Sequence, residues 1–196
     1  ADLIALAALF DVAWDDVGLF PDLQKEFGTF TIALVLAHEW GNVVQGQANL
    51  DGPTVYMELQ ADCFAGAWTR DVADGNSPNL EIQPSAFAQA LGGMLKFRDQ
   101  PGTSADDDTA HGSGFDRVNA FQEGFENGPS HCADYEGSPP TVVETPFSTE
   151  EEYESGGNLP YEEVAELAAR DLNDYWTGLD SSFEPIEALQ PYDSDA

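Results

Sequence analysis

Basic side chains are scarce in this sequence. Lys and Arg number six against 37 Asp and Glu, a formal charge of −31, and only Lys25 and Lys96 are lysines. A surface this negative repels phosphate, which argues against nucleic acid and anionic membranes as partners. Long apolar runs are missing too. The longest unbroken one is Leu3 to Phe10, and a second spans Ile32 to Ala37; both fall far short of the roughly 18 residues that a membrane-crossing helix needs. No signal peptide is legible ahead of Leu3. The expectation is a chain cut from a longer one, which leaves export open. Only two cysteines occur, Cys63 and Cys132, and their spacing does not decide between one disulfide and two buried thiols.

What remains is ordinary for a globular protein. The 196 residues, 42% of them hydrophobic, suffice for one domain with a real core and an appendage. The acids are spread along the chain rather than gathered in one loop. That favours a solubility device for high salt over acidic loops that bind divalent cations.

Hydrophobic periodicity predicts a mainly α fold with at most a small edge of β-sheet near residue 13. The opening residues read as a short helix, followed by an extended piece around Val12 to Trp14 and a turn-rich entry through Pro21. Helices are predicted over about 30–47, 55–72, 86–97 and 115–125, with Thr54 as an N-cap. Asp51-Gly52-Pro53 separates the first pair, and polar loops fill 75–83 and 99–113. From Gly137 the composition turns acidic and proline-rich. A last helix is expected from Pro160, as an N1 proline, to about Trp176. The division is therefore 1–136, with its N-terminal part truncated, and an irregular acidic segment plus helix over 137–196 packed on the same domain.

The chemistry gathers in two of these helices. Residues 38–42 read His38-Glu39-Trp40-Gly41-Asn42. Positions i and i+4 share a helix face, about 5–6 Å apart. Two histidines at that spacing grip a zinc ion, with the glutamate at i+1 beside the open position as general base. Here i+4 is Asn42, whose amide oxygen is a weak, neutral donor. The next helix carries Glu58-Leu59-Gln60-Ala61-Asp62, which places Glu58 and Asp62 on one face. They are either a solvated acidic face, or a metal ligand with an acceptor that orients the ring of His38. His111 lies on a loop. It either caps the helix that follows or bonds a carbonyl, or donates to the oxyanion of a tetrahedral intermediate, or replaces the missing ligand.

The strings LAHEWGNVVQ (36–45), ELQADCFAGAW (58–68) and AHGSGFDRVNAFQEGFENG (110–128), followed by Cys132, resemble the neutral zinc metallopeptidase family of bacteria, a gluzincin-like group. The three blocks stand in order with suitable spacing. Residues 137–196 resemble the tail of longer actinobacterial-type members. The resemblance implies a zincin-like helical core, Zn2+ held by His38 and Glu58, Glu39 as general base, Asp62 behind His38, and His111 at the site. The remaining ligand position falls on Asn42. A lost imidazole should impair peptide-bond hydrolysis; the alternative is an inactive pseudopeptidase whose cleft binds a peptide or protein. The resemblance also implies a Cys63–Cys132 disulfide and an extracytoplasmic or secreted setting.

Overall fold

A computed structural model describes residues 5–7 and 12–191. It divides into a unit of residues 1–146 and a second of 147–196. Among the described residues there are eight α-helices and one two-stranded sheet. The protein is mainly α, as its periodicity predicts. No described helix is long and apolar enough to cross a membrane.

The entry to the first unit departs from expectation. Instead of a short opening helix, Ala5–Ala7 forms strand β1, antiparallel to β2 (Val12–Trp14), with Ala5 opposite Trp14. A short apolar run carries no period that separates helix from strand, so pairing decides it. Helix α1 (Leu19–Phe27) stands where a turn-rich entry is predicted. Pro21 lies in its first turn, where a missing N–H breaks no helical bond. The Asp15 carboxylate accepts from the N–H groups of Val17, Gly18 and Leu19 at 2.9, 2.9 and 3.2 Å, satisfying donors at the helix start.

Helices α2 (Thr29–Ala48) and α3 (Thr54–Ala73) are long and largely buried. Pro53 rather than Thr54 takes the N-cap of α3. Next come α4 (Pro84–Met94), α5 (Gly114–Asn127) and the short α6 (Pro129–Ala133). Phe30, Leu34, Ala65, Val72, Ala90, Met94 and Phe121 form one core among α2 to α5. A second gathers Val55, Leu59, Ala110, Ala120 and Tyr135 around the disulfide between Cys63 and Cys132.

Missing side chains set the helix spacing. A Cβ on Gly41 would lie 2.8 Å from the Cα of Ala61, and one on Gly124 would lie 1.8 Å from the Cys63 carbonyl oxygen. Only hydrogen at these positions lets α2 and α5 approach α3 so closely.

Residues 137–146 finish the first unit. The N–H of Val143 donates to Asp116 Oδ1 at 2.9 Å, and that of Ala105 to Glu144 Oε1 at 2.8 Å. In the second unit, α7 (Glu150–Ser155) interrupts the stretch read as irregular, opened by a capping box of Thr149 and Glu152. Helix α8 (Tyr161–Leu179) follows, with Pro160 as its N-cap. Its turn to the C-terminal segment is tied by the Asn173 amide, which exchanges hydrogen bonds with the backbone of Ile186 at 2.9 and 3.0 Å.

Candidate metal centre

The close contact of Gly41 with Ala61 sets one turn of α2 against one turn of α3. His38, one turn before Gly41, meets Glu58 and Asp62 from α3. Its Nδ1 stands 2.7 Å from Asp62 Oδ1 and its Nε2 3.3 Å from Glu58 Oε2. Asp62 is fully buried, which removes the reading of a solvated acidic face. It is held by Arg117 of α5 through two bonds: Nε donates to Oδ2 at 2.7 Å and Nη2 to Oδ1 at 2.8 Å. The same guanidinium donates through Nη1 to the Phe97 carbonyl at 2.8 Å.

These contacts set the protonation states. Burial pushes the Asp62 carboxyl up, but Arg117 and then His38 outweigh it and bring it to about 2. Asp62 is therefore ionised and assigns a proton to Nδ1 of His38. Burial pulls His38 down, but Asp62 and Glu58 more than offset this and raise it to about 10. Glu58 is favoured by burial in its neutral form, yet His38 and His111 lower it overall. Glu39 goes the other way: burial raises it, against smaller opposing effects of His38 and Asn42.

Glu39 is buried. The Asn42 amide Nδ2 donates to Glu39 Oε2 at 3.4 Å. His111 enters from the loop before α5, with its Nε2 3.9 Å from Glu58 Oε2 and its Nδ1 3.8 Å from Asp99 Oδ1. Ser113, not His111, caps α5. The third histidine, His131, lies outside this group and faces Glu123 at 3.4 Å.

The distances allow a test of fit for zinc. Two ligands bonded at about 2.0–2.2 Å to a tetrahedral ion stand about 3.3–3.6 Å apart, and His38 Nε2 and Glu58 Oε2, 3.3 Å apart, lie at the lower edge of that range. An imidazole backed at Nδ1 by a carboxylate is also the usual form of a zinc-bound histidine. Two positions thus fit. Position 42 does not match, because an amide oxygen is a weak, neutral donor in place of an imidazole, and the Asn42 amide nitrogen donates to Glu39. As they lie, no three His, Cys, Asp or Glu side chains among the described residues form a metal-holding set.

Each residue of the 58–63 block has a physical task. Glu58 faces the site and Leu59 fills the core. Gln60 links three elements: it accepts from Gln45 Nε2 at 3.1 Å and donates to the Cys132 carbonyl at 2.8 Å. Ala61 meets Gly41, Asp62 binds His38 and Arg117, and Cys63 closes the disulfide. Arg117 and Asp99 are the residues that sequence reasoning passes over. Arg117 had a signal: a rare cation placed three, four and seven residues before the apolar or small Ala120, Phe121 and Gly124, hence on the buried face. Asp99 had none, since it is one acid in a polar loop.

Comparison with known proteins agrees with this picture. The sequence model of a family described as "Putative neutral zinc metallopeptidase" matches residues 12–135. "Uncharacterized protein YpfJ" of Escherichia coli (strain K12) is 31% identical over 140 residues, covering 60% of this chain and 48% of that protein. "Uncharacterized protein Rv2575" of Mycobacterium tuberculosis (strain ATCC 25618 / H37Rv) is 30% identical over 149 residues, covering 62% and 51%. The chain thus spans about half the length of these relatives. No solved structure matches. With the family's pattern running through α1 to α6, the chain belongs to this zinc metallopeptidase family.

Proposed function

We propose that this chain carries a peptide-hydrolysing zinc centre impaired at Asn42. The observation that carries the reading is the 3.3 Å approach of His38 Nε2 to Glu58 Oε2, beside a buried Glu39 and an asparagine where the family's pattern has its second histidine. A zinc ion held by His38 and Glu58 would supply the Lewis acidity that activates water toward a peptide carbonyl. Glu39, with its carboxyl raised by burial, is poised to take a proton from water and return it to the leaving amine. Asp62 keeps the His38 ring turned with Nε2 toward Glu58, and Arg117 keeps Asp62 ionised. Were a third ligand supplied from α2, His111 would be free to donate to the carbonyl oxygen under attack. The substrate is then a peptide or protein. The disulfide supports an extracytoplasmic or secreted setting, since cytosolic thiols are kept reduced.

The hydrogen bond from Asn42 to Glu39 favours a second reading, an inactive pseudopeptidase that only binds peptide, because it occupies the general base. Asn42→His separates the two. The new imidazole lies one turn from His38 on the same face. The variant is expected to bind zinc at least about tenfold more tightly, extrapolating from losses of 10–100-fold for supporting residues alone. It should also gain peptidase activity that Glu39→Gln removes. Equal zinc affinity and equal activity in parent and variant would refute impairment at Asn42. Tight zinc binding with no cleavage would favour the pseudopeptidase.

A further inference from the structure

We propose that an apolar groove between α2 and α3 docks a basic amphipathic helix of a partner polypeptide, held by its apolar stripe and oriented by its cations. The groove shares these two helices with the candidate metal centre but none of its ligands, so the proposal does not depend on the zinc reading.

Helical periodicity builds the groove from both sides. Ala33, Ala37, Trp40 and Val44 line it from α2 at intervals of four, three and four residues, which is one helix face. Phe64, Ala67, Trp68 and Asp71 line it from α3. The cavity holds about 780 Å³, within the range of typical binding sites. Large apolar side chains stand open in it: Trp40 is 57% exposed, Val44 42% and Leu80 40%. Other parts are already fixed. Trp68 stacks on Phe30, with ring centroids 6.1 Å apart and planes 7° apart. Arg70 donates to Asp74 at 2.8 Å and lies 5.4 Å over the Phe125 ring. A wall that need not be ordered on binding lowers the cost of binding.

Length and charge select the occupant. The rise from Ala33 to Val44 is about 16 Å at roughly 1.5 Å per residue, the span of a three-turn helix. Such a helix presents anchors at i, i+4 and i+7 to a groove of this kind. The lining holds two acids, Asp71 and Asp74, against one cation, Arg70, and that cation is engaged by Asp74. Asp71 accepts from the Asn76 amide at 3.0 Å, and among the described residues no cation pairs with it. The chain adds a formal charge of −31. This field draws in a basic segment and repels an acidic one. It also opposes a second copy of this chain, which would bring its own −31 against the first.

The test uses the full chain with a chelator present, so its outcome is separate from that of the zinc centre. The probe is a fluorescently labelled peptide of about 14 residues, close to four helical turns, with leucines on one stripe and lysines elsewhere. Fluorescence anisotropy should show saturable binding. A peptide of the same composition, scrambled so that no stripe forms, should bind at least about tenfold more weakly, and so should one with glutamate in place of lysine. Trp40→Ala should weaken binding by about tenfold or more, as truncation of an aromatic anchor does. Val44→Asp, at an exposed position, should do the same, with circular dichroism checking that both variants are folded. Trp176→Ala, equally exposed but on α8, should leave binding unchanged. No binding by the parent overturns the proposal. Equal binding of the scrambled peptide would mean attraction by charge alone, and a loss in Trp176→Ala rather than Trp40→Ala would move the site to α8; either overturns it. So would self-association of the parent in sedimentation that Trp40→Ala abolishes, since a second copy would then be the occupant.

Discussion

Asp62 shows how much one buried carboxylate can organise. Removed from water, it is stabilised as an anion by Arg117 on one side and His38 on the other. Among the described residues, no buried side-chain nitrogen or oxygen lacks a partner. In the metal-free protein His38 is a cation between Asp62 and Glu58, and this makes stability depend on pH. Its folded pKa of about 10 lies above the unfolded value of 6.5. The stabilisation is thus fully present below pH 6.5 and is lost as pH rises through about 10. Urea unfolding in the presence of a chelator should show the parent losing stability across that window relative to His38→Gln. A parent-minus-variant difference that stays flat, or grows with pH, would show that the ring is neutral in the metal-free state.

Helix α3 (Thr54–Ala73) is the element on which the rest converges. It gives Glu58 and Asp62 to the site, Cys63 to the disulfide, and a backbone close enough to touch α2 and α5. The closest approach is at Gly124, where an added Cβ would lie 1.8 Å from the Cys63 carbonyl oxygen. Backbone cannot yield as a side chain does. Gly124→Ala should therefore cost about 3 kcal/mol or more, the upper end of overpacking penalties, and should weaken the reach of Arg117 to Asp62. Gly178→Ala in α8 is the control, since nothing lies within 4 Å of its added Cβ; a small gain of up to about 1 kcal/mol is expected there. Chemical denaturation of both variants decides, and a Gly124→Ala chain as stable as the parent would contradict the packing described.

For the molecule as a whole, −31 is the governing number. Of six cations, Arg117 is spent in the interior, while Arg70 and Lys96 pair with Asp74 and Glu26. Little positive charge is left to balance the surface, so folding concentrates like charge. Raising salt shortens the screening length from about 10 Å at 0.1 M to about 3 Å at 1 M. The melting temperature should rise over that range, read by calorimetry with chloride as the only variable. A fall would mean that exposed ion pairs outweigh the repulsion.

Sequence by itself determined the mainly α class, the positions of five helices, the pair His38 and Glu58 as candidate ligands, and the asparagine at position 42. These follow from local periodicity and from motif spacing, both of which are written in neighbouring residues. Family resemblance added the disulfide, which spacing alone left open. Tertiary structure alone decided that β1 is a strand, because an apolar run takes its form from what it pairs with. It alone brought Arg117 to Asp62 and Asp99 to His111, across 55 residues and 12 residues of chain. The first contact depends on how closely helices cross, which Gly41 and Gly124 set by what they lack; the second is made inside the loop that leads into α5. A side chain's partner across a helix crossing or inside an irregular loop leaves no period in the sequence, so both contacts emerge only in three dimensions.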